Sequence, residues 1–295
     1  MQESLNEVDR QLLEELREPA ATMLDEHLNR AKVWYPYEEI PWGLAEDFKR
    51  GESWDPAQYP LPDGVRSAIY VNLLTEDNLP YYTHTILSFS DRDHPLSEWT
   101  RRWTAEERRH SDVIRDWAIA TRAIDPKLLE DGRMVQMSGG KVPQPTSVAD
   151  MLAYTSLQEL ATNIAHRNTG AQLDKERKGS MVMARVAGDE MLHHRFYKGL
   201  AGAAIEVNPS EMVVAISQQI RSFKMPGTGI PDFKTHEKAI AEAGIYDLST
   251  FLFRVVEPTL EAFEFDEIRD ISAEAEKERE RTHKFLGRLS RLATK

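Results

Sequence analysis

Glu107 and His110, in the stretch W-T-A-E-E-R-R-H that starts at Trp103, stand three residues apart; Glu190 and His193, in D-E-M-L-H, repeat the spacing. On an α-helix, residues three apart share one face, separated by about 60° of rotation and roughly 4.5 Å of rise. A carboxylate and an imidazole so placed can hold one metal ion together. Two such pairs, completed by a lone glutamate from each of two further helices, make the ligand set of a two-metal carboxylate bundle. Glu76 and Glu159 are the candidates for the lone pair, because Glu76 precedes Glu159 by 83 residues, as Glu107 precedes Glu190. Two helix pairs, each carrying Glu and then Glu-x-x-His, would produce this. Oxygen and imidazole ligands suit iron or manganese, and iron is the redox-active choice.

Four long helices must position these groups. The pattern predicts one over about 64–90 carrying Glu76, bent at Pro80, and one over about 96–122 carrying Glu107 and His110. After a break marked by Ser138, Gly139, Gly140, Pro143 and Pro145, a third spans about 147–173 with Glu159. A fourth spans about 176–207, with Glu190 and His193, and ends before Pro209. An all-α, ferritin-like four-helix bundle with additional flanking helices is the expected fold.

The rest of the chain is read around that core. Residues 5–33 predict two helices broken near Pro19, and 33–63 crowd aromatics and prolines into an irregular cover. Helices over about 210–223, 234–243, 248–265 and 273–292 flank the bundle. With 295 residues, one domain is expected over 1–295: an N-terminal part (1–63), the ligand core (64–207) and flanking helices (208–295).

Composition narrows the function. Cysteine is absent, which excludes a disulfide framework, a thiolate zinc site, an iron–sulfur cluster and a catalytic thiol. A formal charge of −12 argues against general nucleic-acid or membrane-surface binding. The polar start M-Q-E-S-L-N-E-V-D-R, with no run of about 18 apolar residues anywhere, predicts a soluble cytoplasmic protein without membrane insertion.

Four segments carry a resemblance. T-E-D-N-L-P-Y-Y around Glu76, W-T-A-E-E-R-R-H, T-S-L-Q-E-L-A-T-N-I-A-H-R-N-T around Glu159 and A-G-D-E-M-L-H-H around Glu190 occur in this order. Through most of residues 50–245 the chain resembles the soluble acyl-[acyl-carrier-protein] desaturases of the stearoyl type. The resemblance implies two iron ions held by Glu76, Glu107, His110, Glu159, Glu190 and His193, and O2-dependent introduction of a cis double bond into an acyl chain on acyl carrier protein. It also implies a ferredoxin-like electron donor and a homodimer. Thr162 is implied near the oxygen-binding side, and Asp189 and Trp54 on an electron route through His110. The family's basic pair within the last motif is here Met191 and Leu192, which bears on carrier docking and substrate and leaves the ligand positions untouched.

Each assignment has a plainer reading beside it. Thr162 can be a helical threonine bonded to its own backbone, Trp54 a packing residue, and Asp189 a solvent-facing carboxylate. His166 and His194 fall outside the paired pattern and read as core or outer-layer histidines. Apolar side chains such as Met151, Leu157, Met183 and Met191 would line an alkyl pocket or simply fill the core. A di-iron hydroxylase, a ferritin-like iron protein and a radical-generating subunit using Tyr81 or Tyr82 are the competing functions. Lys49 with Arg50, and Arg101 with Arg102, are the basic pairs through which an acidic carrier would dock.

Overall fold

A computed structural model describes residues 5–227 and 229–293. Helices α1 (Glu7–Glu15) and α2 (Arg17–Arg30) meet at Leu16, with Pro19 in the first turn of α2, where its missing N–H breaks no bond. The irregular segment that follows contains one short turn of helix, α3 (Pro36–Glu39), and buries Trp34, Ile40 and Tyr59 against Val65, Ile69 and Trp117. The expected aromatic cover is therefore packed structure, although Trp42 stands half exposed.

The predicted helix over 64–90 is two helices, α4 (Asp63–Asp77) and α5 (Leu79–Leu87), joined at Asn78. Pro80 is the cause. Its ring crowds the carbonyl four residues back, which is that of Glu76, and it offers no N–H to that carbonyl. The helix ends at Asp77, one residue beyond Glu76, and Asn78 caps α4 with its backbone N–H.

Beyond α5 run α6 (Pro95–Ala120) and α7 (Pro126–Gly139); α7 ends at Gly140 in the left-handed conformation, φ 56°. Ser147 opens α8 (Val148–Ala171) by accepting a hydrogen bond from the Asp150 N–H, and α9 (Gly179–Val207) follows. Helices α4, α6, α8 and α9 pack together as the core bundle, with α8 against α9 the most extensive pairing. Alanine and glycine on α8 allow that closeness: a Cβ on Gly170 would stand 2.8 Å from the Met183 Cβ. The buried Asn163 side chain also donates to the Ala187 carbonyl across the pair, at 2.5 Å.

Outer helices complete the layer. Helix α10 (Pro209–Ser222) lies between α8 and α14 (Ala273–Ala293), and α11 (Phe233–Glu242) lies on α4. The expected helix over 248–265 is α12 (Leu248–Thr250), a π-helical turn (Phe251–Val256) and α13 (Glu257–Ala262). No strand occurs among the described residues, and no described helix is long and apolar enough to cross a membrane.

Candidate metal centre

Glu76 lies in the last turn of α4, Glu107 and His110 in the middle of α6, Glu159 in the middle of α8, and Glu190 and His193 in the middle of α9. All six side chains are buried and converge. They form two groups, Glu76–Glu107–His110–Glu190 and Glu107–Glu159–Glu190–His193, in each of which one oxygen or nitrogen per residue lies within 4.8 Å of the others. Glu107 and Glu190 belong to both. His110 Nδ1 is 3.2 Å from Glu107 and 3.4 Å from Glu190; His193 Nδ1 is 2.8 Å from Glu107 and 3.7 Å from Glu159.

The spacing does not suffice by itself. A further Glu-x-x-His, Glu280 with His283 on α14, has both residues exposed, and its histidine pairs with Asp266 at 2.8 Å.

Four carboxylates in a dry interior are unfavourable unless positive charge compensates them. Burial, then the neighbouring Glu107 and Glu190, pushes Glu76 well above the usual carboxylate range; burial, then Glu190, does the same to Glu159. Burial would also raise Glu107, but His110 and His193 hold it well below. Burial opposes charging of both histidines, yet the carboxylates around them raise both. Glu107 Oε1, Glu159 Oε2 and His193 Nδ1 are buried without a properly aligned hydrogen-bond partner. Unpartnered donor atoms among mutually repelling carboxylates fit a pair of divalent cations.

The second nitrogen of each histidine is fixed by a carboxylate behind it. His110 Nε2 is 3.4 Å from Asp189 Oδ2, which accepts from Trp34 Nε1 at 2.9 Å and from Arg109 at 3.1 Å. His193 Nε2 is 3.0 Å from Glu106 Oε2, which also lies 2.9 Å from His27 Nε2; Arg102 donates to Glu106 Oε1 at 2.6 Å. With Nε2–H given to a carboxylate, each Nδ1 is turned toward the cluster, where a bound cation would take its lone pair in place of a proton. Trp103 Nε1 donates to Glu159 at 3.1 Å.

Asp189 thus sits beside His110, and Thr162 Oγ1 is 3.1 Å from Glu190 Oε2 while also within reach of the Gln158 and Glu159 carbonyls. Trp54 is a different matter. Its indole donates to the Arg122 carbonyl at 3.0 Å under the Arg66 guanidinium, away from the cluster, and Trp34 from the same irregular segment reaches Asp189 instead. Arg102, offered above as half of a docking pair, turns inward to Glu106, whereas Lys49 and Arg50 are exposed. His166 approaches Glu76 at 3.2 Å.

His194, one position past His193, faces away and gives its Nδ1 to the Ser156 carbonyl at 2.9 Å. Burial lowers it to about 4. Below about pH 6.5 the unfolded chain takes up a proton that the folded chain refuses, so this stability is complete above 6.5 and is lost as pH falls toward 4. The loss should approach about 3 kcal/mol in urea melts of metal-free protein. His194→Leu should flatten that stretch of the profile; an unchanged slope would reject the account.

Glu106→Ala removes the partner of His193 Nε2–H and strands Arg102 and His27. It should weaken metal binding roughly 10–100-fold by titration, whereas Trp54→Phe should leave binding unaltered. Equal affinities in the two variants would show that Glu106 does not orient His193.

An apolar cavity of about 610 Å³ reaches the cluster at Glu76, Thr162 and His166, walled by Phe223, Tyr246 and Phe251 among others. The methionines suggested for such a pocket are elsewhere. Met151 and Met183 are fully buried core, Leu157 likewise, and Met191 borders a surface groove between α8 and α9. The cavity lies between the inner helices α4 and α8 and an outer wall from α10, α11, α14 and the loops flanking α11, which no ligand spacing reveals.

Known proteins resemble this chain in sequence and in fold. The sequence profile described as "Fatty acid desaturase" matches residues 8–295. A Mycobacterium tuberculosis protein named as the acyl-[acyl-carrier-protein] desaturase DesA1 is 36% identical over 282 residues, covering 92% of this chain and 83% of that one. The chloroplastic stearoyl-[acyl-carrier-protein] 9-desaturase of Gossypium hirsutum is 28% identical, covering 88% and 70%. The X-ray structure of the M. tuberculosis acyl-ACP desaturase DesA2 superposes with a TM-score of 0.71 at 24% identity, over 87% of this chain and 96% of that one, and so shares the fold. With a profile spanning nearly its whole length and a relative of 36% identity, this chain belongs to the fatty acid desaturase family.

Proposed function

We propose that this protein is an O2-dependent di-iron desaturase that introduces a cis double bond into an acyl chain carried on acyl carrier protein. The observation that carries the reading is the meeting, at Glu76, of a buried carboxylate–imidazole cluster with a cavity shaped for an alkyl chain. The donor set would hold two irons, with Glu76, Glu107, His110, Glu159, Glu190 and His193 as ligands. When bound, the di-iron centre supplies the electrons and the oxidising power needed to take hydrogen from an unactivated C–H bond.

The protein's own residues supply geometry and dryness. The apolar wall excludes water from the acyl chain and holds it beside the ligand face. Asp189 and Glu106 keep both histidines in one tautomer. Thr162 offers a hydroxyl proton 3.1 Å from Glu190, at the cavity's inner end. Overall, two hydrogens leave adjacent carbons; with O2, two protons and two electrons, they yield the double bond and two waters. A ferredoxin-like donor would bring the electrons, and the assembly would be a homodimer, which light scattering can test.

Anaerobically iron-loaded protein should contain two irons per chain and, once reduced, convert acyl-carrier substrate to a product two mass units lighter. A product sixteen units heavier would select the hydroxylase reading. Iron uptake without acyl oxidation would select a ferritin-like one.

A further inference from the structure

Five of the six clustered donors stand in mid-helix, with turns of helix on both sides, but Glu76 stands one residue from the end of α4. Pro80 offers its carbonyl no N–H, and a helix end that is not tied down frays. The rigidity of this donor must come from outside its own helix.

The next residue, Asp77, is tied to α6. Its side chain is only 2% exposed; Ser111 Oγ donates to its Oδ1 at 2.5 Å, and the Arg115 guanidinium pairs with its Oδ2. Ser111 is fully buried, whereas Arg115, one turn further along α6, has its side chain 26% exposed. The two bonded residues hold matching places in the sequence, since Asp77 follows Glu76 and Ser111 follows His110. Neighbours on a helix point about 100° apart, so this contact closes behind the donor group. Inside the group, Glu76 and His110 come within 3.9 Å of each other. Burying a carboxylate between two helices costs desolvation that an apolar contact would avoid, and what it supplies is one fixed register. Apolar surfaces can slide past each other; a carboxylate held by a hydroxyl on one oxygen and a guanidinium on the other cannot.

We propose that Asp77 is a positioning residue for Glu76, locking the broken end of α4 to α6 through Ser111 and Arg115. The inference rests on the assignment of Glu76 as a metal ligand. Glu76 belongs to one donor group and not the other, so the lock serves one of the two metal positions.

Anaerobic titration of the metal-free full chain with ferrous ion, followed by calorimetry, tests this without reference to turnover. Asp77→Ala should weaken binding of one ion roughly 10–100-fold, the range for a residue that orients a ligand, and leave the other within about twofold. Ser111→Ala and Arg115→Met each remove one of the two donors and should act in the same way by a smaller factor; if Asp77→Ala fails to fold, they carry the test. Loss of a residue that merely holds the fold together would weaken both ions alike, because α6 supplies Glu107 to both groups. Equal weakening of the two ions, or two unaltered affinities, overturns the proposal. Glu76→Ala in the same titration judges the assignment beneath it. If Glu76→Ala weakens one ion and Asp77→Ala does not, Glu76 is a ligand held by something other than Asp77, and only the positioning role falls. If Glu76→Ala leaves both ions unaltered, the ligand assignment falls and the proposal with it.

Discussion

Glu107→Ala is expected to be the most damaging single substitution for metal binding and to take from the metal-free fold the partner of two buried histidines. Glu107 is common to both donor groups and lies 2.8 Å from His193 Nδ1 and 3.2 Å from His110 Nδ1. Under the proposed assignment its loss takes a donor from each ion, so turnover should fall by more than the roughly 10–100-fold typical of an outer-layer partner. Iron content should drop below one per chain. Without metal, Glu107 is the carboxylate that His110 and His193 hold in its charged form, so its removal leaves two buried imidazoles without that partner and the melting temperature of the metal-free protein should fall. Iron analysis and calorimetry on the same sample decide the matter: two irons retained per chain would remove Glu107 from the ligand set. Glu159→Ala should follow the same direction with a smaller loss, since Glu159 belongs to one group.

Trp99→Ala should give the largest loss of stability. Trp99 is fully buried, stacks on Phe196 with centroids 3.8 Å apart, and meets His27, His193 and Tyr197 edge-on. Truncation removes the largest side chain of that cluster and leaves a cavity its rigid neighbours cannot close, costing about 3–5 kcal/mol. In a chain of this size the melting temperature should fall on the order of 10 °C. Because the cavity opens beside His193, metal affinity should fall as well. Trp99→Phe keeps most of the volume and should lose less than half as much stability. Similar melting temperatures for the two variants would show that volume at this position is not what matters.

The helices were readable in the sequence because apolar periodicity, Ser147, Gly140 and the prolines mark their faces and ends. The split at Asn78 was only half visible: Pro80 announces a distortion, but whether a helix bends or breaks depends on what its freed carbonyls meet. The six clustered carboxylates and imidazoles were legible because a helix converts spacing into direction. Spacing also generates decoys such as Glu280 with His283, which its exposure in the structure, not its spacing, separates from the ligand pairs. Of the layer behind the histidines, Asp189 was legible through the resemblance, and the rest was not. Trp34 and Asp189 are 155 positions apart, and no local rule joins them; the resemblance points instead to Trp54, in the same irregular segment. Glu106 was hidden by its neighbours, since Arg102 four residues before it makes it resemble a solvated surface pair, and His27 lies on a helix that the ligand pattern does not include.

Neither half of the bundle owns a complete donor group. One group takes three members from α4 and α6 and borrows Glu190 from α9; the other takes three from α8 and α9 and borrows Glu107 from α6. Ions held this way would act as clasps between two helical pairs, binding the assembled chain and not the open one. By mass action, free metal at 100 times its dissociation constant would add about 2.7 kcal/mol to folding stability. The melting temperature should therefore climb with free ferrous ion and fall under chelation, and a melting curve indifferent to both would mean the two halves are joined by packing alone.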